Sequence, residues 1–152
     1  MRTPHSTSLA TRAGARLRDA WERLAMGLCL LSWGAWGLAY TAVGALLYPP
    51  LPRRLGARLG RGAIRHAFRF QLWLLHALGL MRADLAALDA LRGEHGLILA
   101  PNHPSLLDAV FMVARVPDVV CIMKASVQDN PFLGGGARLA GYIRNDSNTN
   151  MV

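Results

Sequence analysis

The chain has 152 residues, which is enough for one domain of ordinary size and little more. It carries a formal net charge of +8, and 53% of its residues are hydrophobic. A chain that is both basic and apolar is not typical of a freely soluble protein and indicates contact with a membrane surface. Nucleic acid also attracts basic proteins, but no RNA-binding, zinc-finger or homeodomain pattern occurs, so we expect no nucleic-acid partner.

The first predicted elements are a polar, basic N-terminus at residues 1–23 and a membrane helix at residues 24–48. The second segment has no charged side chain and is long enough to cross a bilayer core of roughly 30 Å at about 1.5 Å per residue. A cleaved signal peptide is the alternative, but the apolar run is too long and no small-residue cleavage site stands out. Arginines flank both ends, so charge does not indicate the orientation.

A second helix is predicted at residues 53–81, after prolines that end the first one. The spacing of its arginines gathers them into one stripe with an apolar stripe opposite. The basic stripe contains Arg54, Arg58, Arg61, Arg65 and Arg69, and the apolar stripe contains Leu55, Leu59, Ala63, Ala67 and Phe70. This pattern fits an interfacial helix whose arginines face anionic lipid, or a helix with a solvated charged face. The neighbouring membrane-length run favours the interfacial helix.

From residue 82 onwards the composition is that of a soluble domain. Apolar runs predict strands at residues 97–100 and 119–123, and helical spacing predicts a helix at residues 105–116. A third strand is predicted at Tyr142 and Ile143, after a glycine-rich run and a short helix. Strand, helix and strand form the crossover unit of a mainly parallel sheet, so the predicted fold class is α/β.

The stretch LILAPNHPSLLDAVF, residues 97–111, places His103 and Asp108 where a strand is predicted to end and a helix to begin. A histidine held by a carboxylate can act as a general base toward a hydroxyl. The carboxylate fixes the imidazole tautomer and stabilises the imidazolium. Since no Gly-x-Ser-x-Gly nucleophile elbow occurs, the attacking hydroxyl would belong to the substrate.

The same residues also fit a purely structural role. The run from Ser105 to Asp108 is a capping-box pattern, in which the carboxylate stabilises a helix start by about 1 kcal/mol. The His-x4-Asp spacing alone is a weak signal. The two roles are compatible, because Asp108 can cap the start of the helix and face His103 at the same time.

The wider stretch APNHPSLLDAVF resembles the first motif of the glycerolipid acyltransferase family, of the lysophosphatidic acid acyltransferase type. There Asn-His-x4-Asp follows a strand and opens a helix. Residues 121–146 resemble the next segment of that family, where a lysine, a proline with an aromatic, a glycine and Gly-x-Ile follow in order. These places are taken by Lys124, Pro131, Phe132, Gly134, Gly141 and Ile143.

The resemblance implies that His103 is the general base on the acceptor hydroxyl and that Asp108 orients it. It also implies an acyl-CoA or acyl-carrier-protein thioester as donor, a membrane lipid as acceptor, and no metal or cofactor. The candidate substrate-binding residues are Asn102, Ser105, Lys124 and Arg144. Lys124 could equally be a strand-end surface charge. The expected location is the inner or cytoplasmic membrane, with the domain on its cytoplasmic side.

The sequence also departs from the family pattern. An arginine that usually follows Gly-x-Ile is replaced by Ser147, with Arg144 as a nearby substitute. The third and fourth family motifs are absent, which predicts an incomplete acyltransferase-type domain at residues 82–152 with an open sheet edge. We consider three explanations: a fragment of a longer acyltransferase, a short variant that completes its sheet by self-association, and an inactive membrane-anchored protein that binds lipid.

Overall fold

The structure is a computed structural model that describes residues 9–47, 49–102, 105 and 107–146. Its helices are α1 (Leu9–Leu47), α2 (Arg53–Ala77), α3 (Ala86–Asp89), α4 (Leu107–Arg115), α5 (Ala125–Gln128) and α6 (Gly134–Leu139). A 3₁₀ turn covers Ala90–Gly93, and the strands are β1 (Ile122–Lys124) and β2 (Ile143–Asn145). The described chain is therefore mostly helical, and its α/β character rests on one pair of strands.

Helix α1 joins the basic N-terminal residues to the apolar run without a break, so no structural boundary follows residue 23. Over Thr11–Leu47 it is long and apolar enough to cross a membrane, and only 6% of its most apolar 18-residue window is buried. Length and composition alone are weak evidence for a membrane contact, because core helices and signal sequences meet the same criterion.

Helices α1 and α2 form an antiparallel hairpin that is held together by polar and aromatic contacts. The buried Gln71 side chain donates from Nε2 to the Cys29 carbonyl at 3.1 Å and accepts at Oε1 from Ser32 Oγ at 2.9 Å. Beside these bonds, the ring of Trp33 stacks on that of Phe68 with centroids 5.5 Å apart. The two helices therefore pack in one defined register.

Helix α2 has three faces, whereas its sequence pattern predicts two. Its buried residues are Gly56, Gly60, Ile64, Gln71 and Leu72. The predicted apolar stripe is largely exposed: Leu55 is 49%, Leu59 51% and Phe70 39% exposed. The packed face was not evident in the sequence because two of its five buried residues are glycines and one is a glutamine, which add nothing to an apolar periodicity.

Glycines bring the backbone of α6 into direct contact with the hairpin. A Cβ atom added to Gly44 would lie 2.7 Å from the carbonyl oxygen of Gly135, and one added to Gly135 would lie 2.6 Å from the carbonyl oxygen of Thr41. A Cβ atom on Gly60 would lie 2.7 Å from the amide nitrogen of Ala140. These distances leave no room for larger side chains at the three glycines, so the glycine-rich run serves helix packing.

The sheet consists of β1 and β2, which pair in parallel with Ile122 opposite Ile143 and Lys124 opposite Asn145. These strands lie close to two of the predicted ones. The strand prediction at residues 97–100 is wrong, because this segment has no strand structure and Ile98 is 94% exposed. An apolar run of four residues becomes a strand only if a neighbouring strand pairs with it, and that pairing is not encoded locally.

Two small hydrophobic clusters join α4 to α2. One contains Ile64, Val113 and Ala140, and the other contains Leu72, Val110 and Ala114. Each cluster combines at least one residue of α2 with at least one of α4, so the hairpin is the platform on which α4 sits.

We predict opposite stability effects for two glycine substitutions on α2. Gly60→Ala should lower the free energy of unfolding by about 1–3 kcal/mol, because the added methyl group meets the α6 backbone. Gly62→Ala should raise it by about 0.5–1 kcal/mol, because nothing lies within 4 Å of the added carbon and alanine favours the helix. Denaturant unfolding in detergent micelles, followed by circular dichroism, measures both. Equal effects of the two substitutions would contradict the close contact of α2 with α6.

Candidate active site

Asp108 lies in the first turn of α4 and caps that helix. The Ser105 amide donates to Asp108 Oδ2 at 3.0 Å, and the Leu107 amide donates to Ser105 Oγ at 3.2 Å. These are the reciprocal side-chain bonds of a capping box. The structural role considered for this motif is therefore present, and it holds the Asp108 carboxylate at the start of α4.

The predicted partner of this carboxylate, His103, lies outside the described residues. Its neighbours in sequence, Asn102 and Ser105, are both exposed, and Asp108 is half-buried in the first turn of the helix.

Lys124 and Arg144 lie on opposite faces of the sheet. Lys124 ends β1 and pairs in register with Asn145, whereas Arg144 pairs with Met123, the preceding residue of β1. Because side chains alternate between the faces of a strand, the two cations project in opposite directions. The structure therefore does not bring these two predicted substrate-binding residues together around one phosphate group.

The guanidinium of Arg144 is engaged by two carboxylates. Its Nη1 lies 2.7 Å from Asp129 Oδ1 and its Nε lies 2.7 Å from Asp146 Oδ1. The hydrogen bond that Arg144 donates to Asp129 is the main cause that raises the pKa of Arg144, and the same bond lowers the pKa of Asp129. A substrate phosphate at Arg144 would have to compete with both carboxylates, which weakens the case for Arg144 as the substitute phosphate-binding arginine.

An apolar cavity of about 80 Å³ lies between the hairpin and the rest of the chain. Its lining comprises Trp33, Trp36, Gly37, Tyr40, Ile64, Ala67, Phe68, Gln71, Met123, Phe132, Leu133 and Gly136. Three of these residues are more than one third exposed, with Trp36 at 44%, Phe132 at 49% and Leu133 at 37%. Such a lining suits part of an alkyl chain better than a polar group.

Among the described residues, no group of three His, Cys, Asp or Glu side chains is placed to hold a metal ion. The described residues offer two separate features: a carboxylate fixed at the start of α4 and an apolar cavity lined by residues of other elements.

Residues 82–151 match the family model of the acyltransferases. This segment is similar to the acyltransferase family. The match confirms the resemblance drawn from the sequence, and it includes the His-x4-Asp stretch, Lys124 and Arg144. The roles of those residues stay predictions. No curated protein and no solved structure matches the chain.

The acyltransferase segment starts only after the hairpin, so α1 and α2 lie outside the matched part of the chain. Sequence reasoning missed two features of this site: the pairing of Arg144 with Asp129 and the apolar cavity. Both join residues far apart in the chain, and no local pattern signals either of them.

We predict that the Asp129 carboxyl titrates below the usual aspartate pKa of about 3.9, and that Arg144→Gln raises its pKa toward that value. A lowered pKa in the folded state means that the pair stabilises the fold above the unfolded pKa and loses this effect as the pH falls through the folded pKa. Because both side chains are about half exposed, the stabilisation is small.

NMR titration of the Asp129 carboxyl carbon measures this pKa directly. Lys124→Gln is the matched control, because Lys124 lies on the other face of the sheet and should leave the pKa unchanged. An Asp129 pKa that is equal in the wild type and in Arg144→Gln would contradict the pairing.

Proposed function

We propose that the protein is a membrane-bound O-acyltransferase. It would move a fatty acyl chain from an acyl-CoA or acyl-carrier-protein thioester to a lipid hydroxyl, such as that of 1-acylglycerol-3-phosphate, in phospholipid biosynthesis. The observation that carries the proposal is the acyltransferase segment at residues 82–151, attached to a hairpin with an apolar outer surface. The apolar cavity supports a substrate with an alkyl chain.

In the proposed mechanism, His103 removes the proton from the acceptor hydroxyl as its oxygen attacks the thioester carbonyl. The tetrahedral intermediate then expels the thiolate, which accepts this proton from the histidine. Asp108 orients the imidazole and stabilises its charged form. The capping bond from Ser105 supports this role, because it fixes the position of the carboxylate before substrate binds.

The exposed surface of the hairpin supports a membrane partner. The rings of Trp36 and Phe70 have centroids 5.9 Å apart, and those of Phe70 and Trp73 have centroids 5.7 Å apart, so an aromatic cluster bridges α1 and α2. All three rings are exposed, with Trp73 at 61%. Aromatic rings beside basic side chains are typical of helices that bind at the membrane–water interface.

The sequence predicts a membrane-spanning helix at residues 24–48; we propose instead that the hairpin lies along the membrane surface and does not cross the bilayer. Helix α6 packs against α1 between Tyr40 and Gly44, within the apolar run, and α2, which packs along α1, carries the exposed Arg58 and Arg69. A crossing hairpin would bring these arginines into hydrocarbon at a cost of about 2.5–3.5 kcal/mol each. The proposed location is the inner or cytoplasmic membrane, with the acyltransferase segment on the cytoplasmic side.

We predict that His103→Ala lowers acyl transfer to lysophosphatidic acid by about 10²–10⁴-fold, the usual contribution of a general base. His95→Ala is the control, because His95 is an exposed histidine of the same segment and should retain the wild-type rate. The assay uses membranes that contain the full chain and a labelled acyl-CoA or acyl-carrier-protein donor.

Two results would contradict the proposed enzyme. Equal rates for the wild type and His103→Ala would remove the histidine from the mechanism. No turnover by the wild type with either donor, together with preserved lipid binding, would identify the alternative function, an inactive membrane-anchored lipid-binding protein.

We also predict that Leu59→Gln with Trp73→Gln weakens binding to vesicles that contain anionic lipid. Both side chains are more than half exposed, so the fold should be retained while apolar contact with the bilayer is lost. Each loss should amount to about 1.5–3 kcal/mol if the side chain is fully buried in lipid. Ile98→Gln is the control, because Ile98 is exposed outside the hairpin. Vesicle flotation measures the binding, and an equal loss in the control would argue against the hairpin as the membrane-binding surface.

A further inference from the structure

The basic stripe of α2 is divided between two environments. Arg54, Arg58 and Arg69 are exposed, whereas Arg61 and Arg65 are half-buried and contact the end of α4 and the loop that follows it. The spacing in the sequence predicts that all five arginines form one exposed stripe. The structure shows that two of them are turned toward the protein.

Arg65 caps the C-terminal end of α4. Its Nε lies 3.4 Å from the carbonyl oxygen of Ala114, and its Nη2 lies 3.3 Å from that of Arg115. The last carbonyls of a helix have no partner within the helix and form the negative end of its dipole. A guanidinium is well suited to this place, because its charge and its several donors both match the helix end.

Arg61 holds the loop that follows α4. Its Nε lies 2.6 Å from Asp118 Oδ1, and the side chain of Arg61 is only 18% exposed. Asp118 has a φ of 59°, in the left-handed region that residues other than glycine seldom adopt. The ion pair therefore fixes a loop conformation that aspartate favours weakly by itself.

Helix α4 connects these arginines to the candidate catalytic carboxylate. It has nine residues, a length of roughly 13 Å, with Asp108 in its first turn and the Arg65 contacts at its last. Its sides are fixed to α2 by Val110 and Val113 in the two hydrophobic clusters. A helix this short moves as one body, so a shift at its C-terminal end is transmitted to Asp108.

We infer that Arg61 and Arg65 are positioning residues, which fix α4, and with it Asp108, to the membrane-facing helix α2. The expected effect on acyl transfer rests on the proposed function, whereas the fixing of α4 to α2 rests on the contacts of Arg61 and Arg65 alone. Helix α2 then performs two tasks with one stripe of arginines: the exposed ones face anionic lipid, and the half-buried ones hold the catalytic segment at a fixed place relative to the membrane.

The test compares two substitutions one turn apart on α2, Arg65→Gln and Arg69→Gln, in the full chain on vesicles with and without anionic lipid. Three quantities are measured: vesicle binding, hydrogen exchange of the amides at residues 107–115, and acyl transfer at saturating lipid. Exchange of the α1 amides at residues 29–36 serves as the internal reference for global stability. Arg65→Lys, which keeps the charge but loses the forked geometry, is the conservative variant.

For Arg65→Gln we expect wild-type vesicle binding and faster exchange in α4 with unchanged exchange in α1. We also expect kcat to fall by about 10–100-fold with little change in KM, since small displacements at a catalytic site have effects of this order. Arg65→Lys should recover part of both losses. Arg69→Gln should instead weaken binding to anionic vesicles and leave the exchange of the α4 amides unchanged.

The inference would be overturned if Arg65→Gln weakened vesicle binding as Arg69→Gln does and left α4 exchange unchanged. It would also be overturned if exchange rose equally in α1 and α4, because this would show general destabilisation. Failure of the proposed function gives a different result: the wild type would be inactive with both donors, and the exchange measurement would still decide whether Arg65 holds α4.

Discussion

The side-chain amide of Gln71 determines how α1 and α2 fit together, and the packing of the other elements follows from that register. Apolar helices can slide against each other with little change in contact area, whereas the bonds of Gln71 to Cys29 and Ser32 form in one register only. In an apolar environment the cost of leaving this amide without partners makes other registers unfavourable. The same register places Trp33 on Phe68 and turns the glycines of both helices toward α6.

The hairpin is the surface on which the other helices pack, a role that a large sheet has in many α/β domains. A sheet of two three-residue strands buries too little surface to support a domain by itself. Helix α4 instead packs against Ile64 and Leu72 of α2, and α6 packs against glycines of α1 and α2. The position of Asp108 therefore depends directly on the helices that carry the apolar surface. An acyltransferase of this form would have its catalytic segment and its lipid-binding surface on one rigid framework.

Local patterns in the sequence predicted the local features of this structure and missed the long-range ones. The charge-free run and the arginine spacing predicted α1 and α2, and the Ser105–Asp108 capping box was readable because its bonds join residues three positions apart. The packed face of α2 was missed because Gly56 and Gly60 do not count as apolar residues in a periodicity. The engagement of Arg144 by Asp129 and of Arg61 by Asp118 depends on pairs that are 15 and 57 residues apart, and only the folded chain brings them together.

The positive charge of the molecule is concentrated in the part of the chain that contains the hairpin and not in the acyltransferase segment. Residues 1–81 contain 11 of the 17 basic side chains and two of the nine acidic ones, a net charge of +9, whereas residues 82–152 have a net charge of −1. Within residues 82–152, several carboxylates form ion pairs with arginines of the same segment. Asp89 pairs with Arg115, and Asp129 pairs with Arg144. The positive field of the molecule therefore originates at the hairpin. Near an anionic membrane this asymmetry favours the orientation in which the hairpin meets the lipid. In the proposed orientation the apolar surface of α1 and α2 enters the interface, and the packing of α4 on α2 sets the distance between the start of α4 and the lipid.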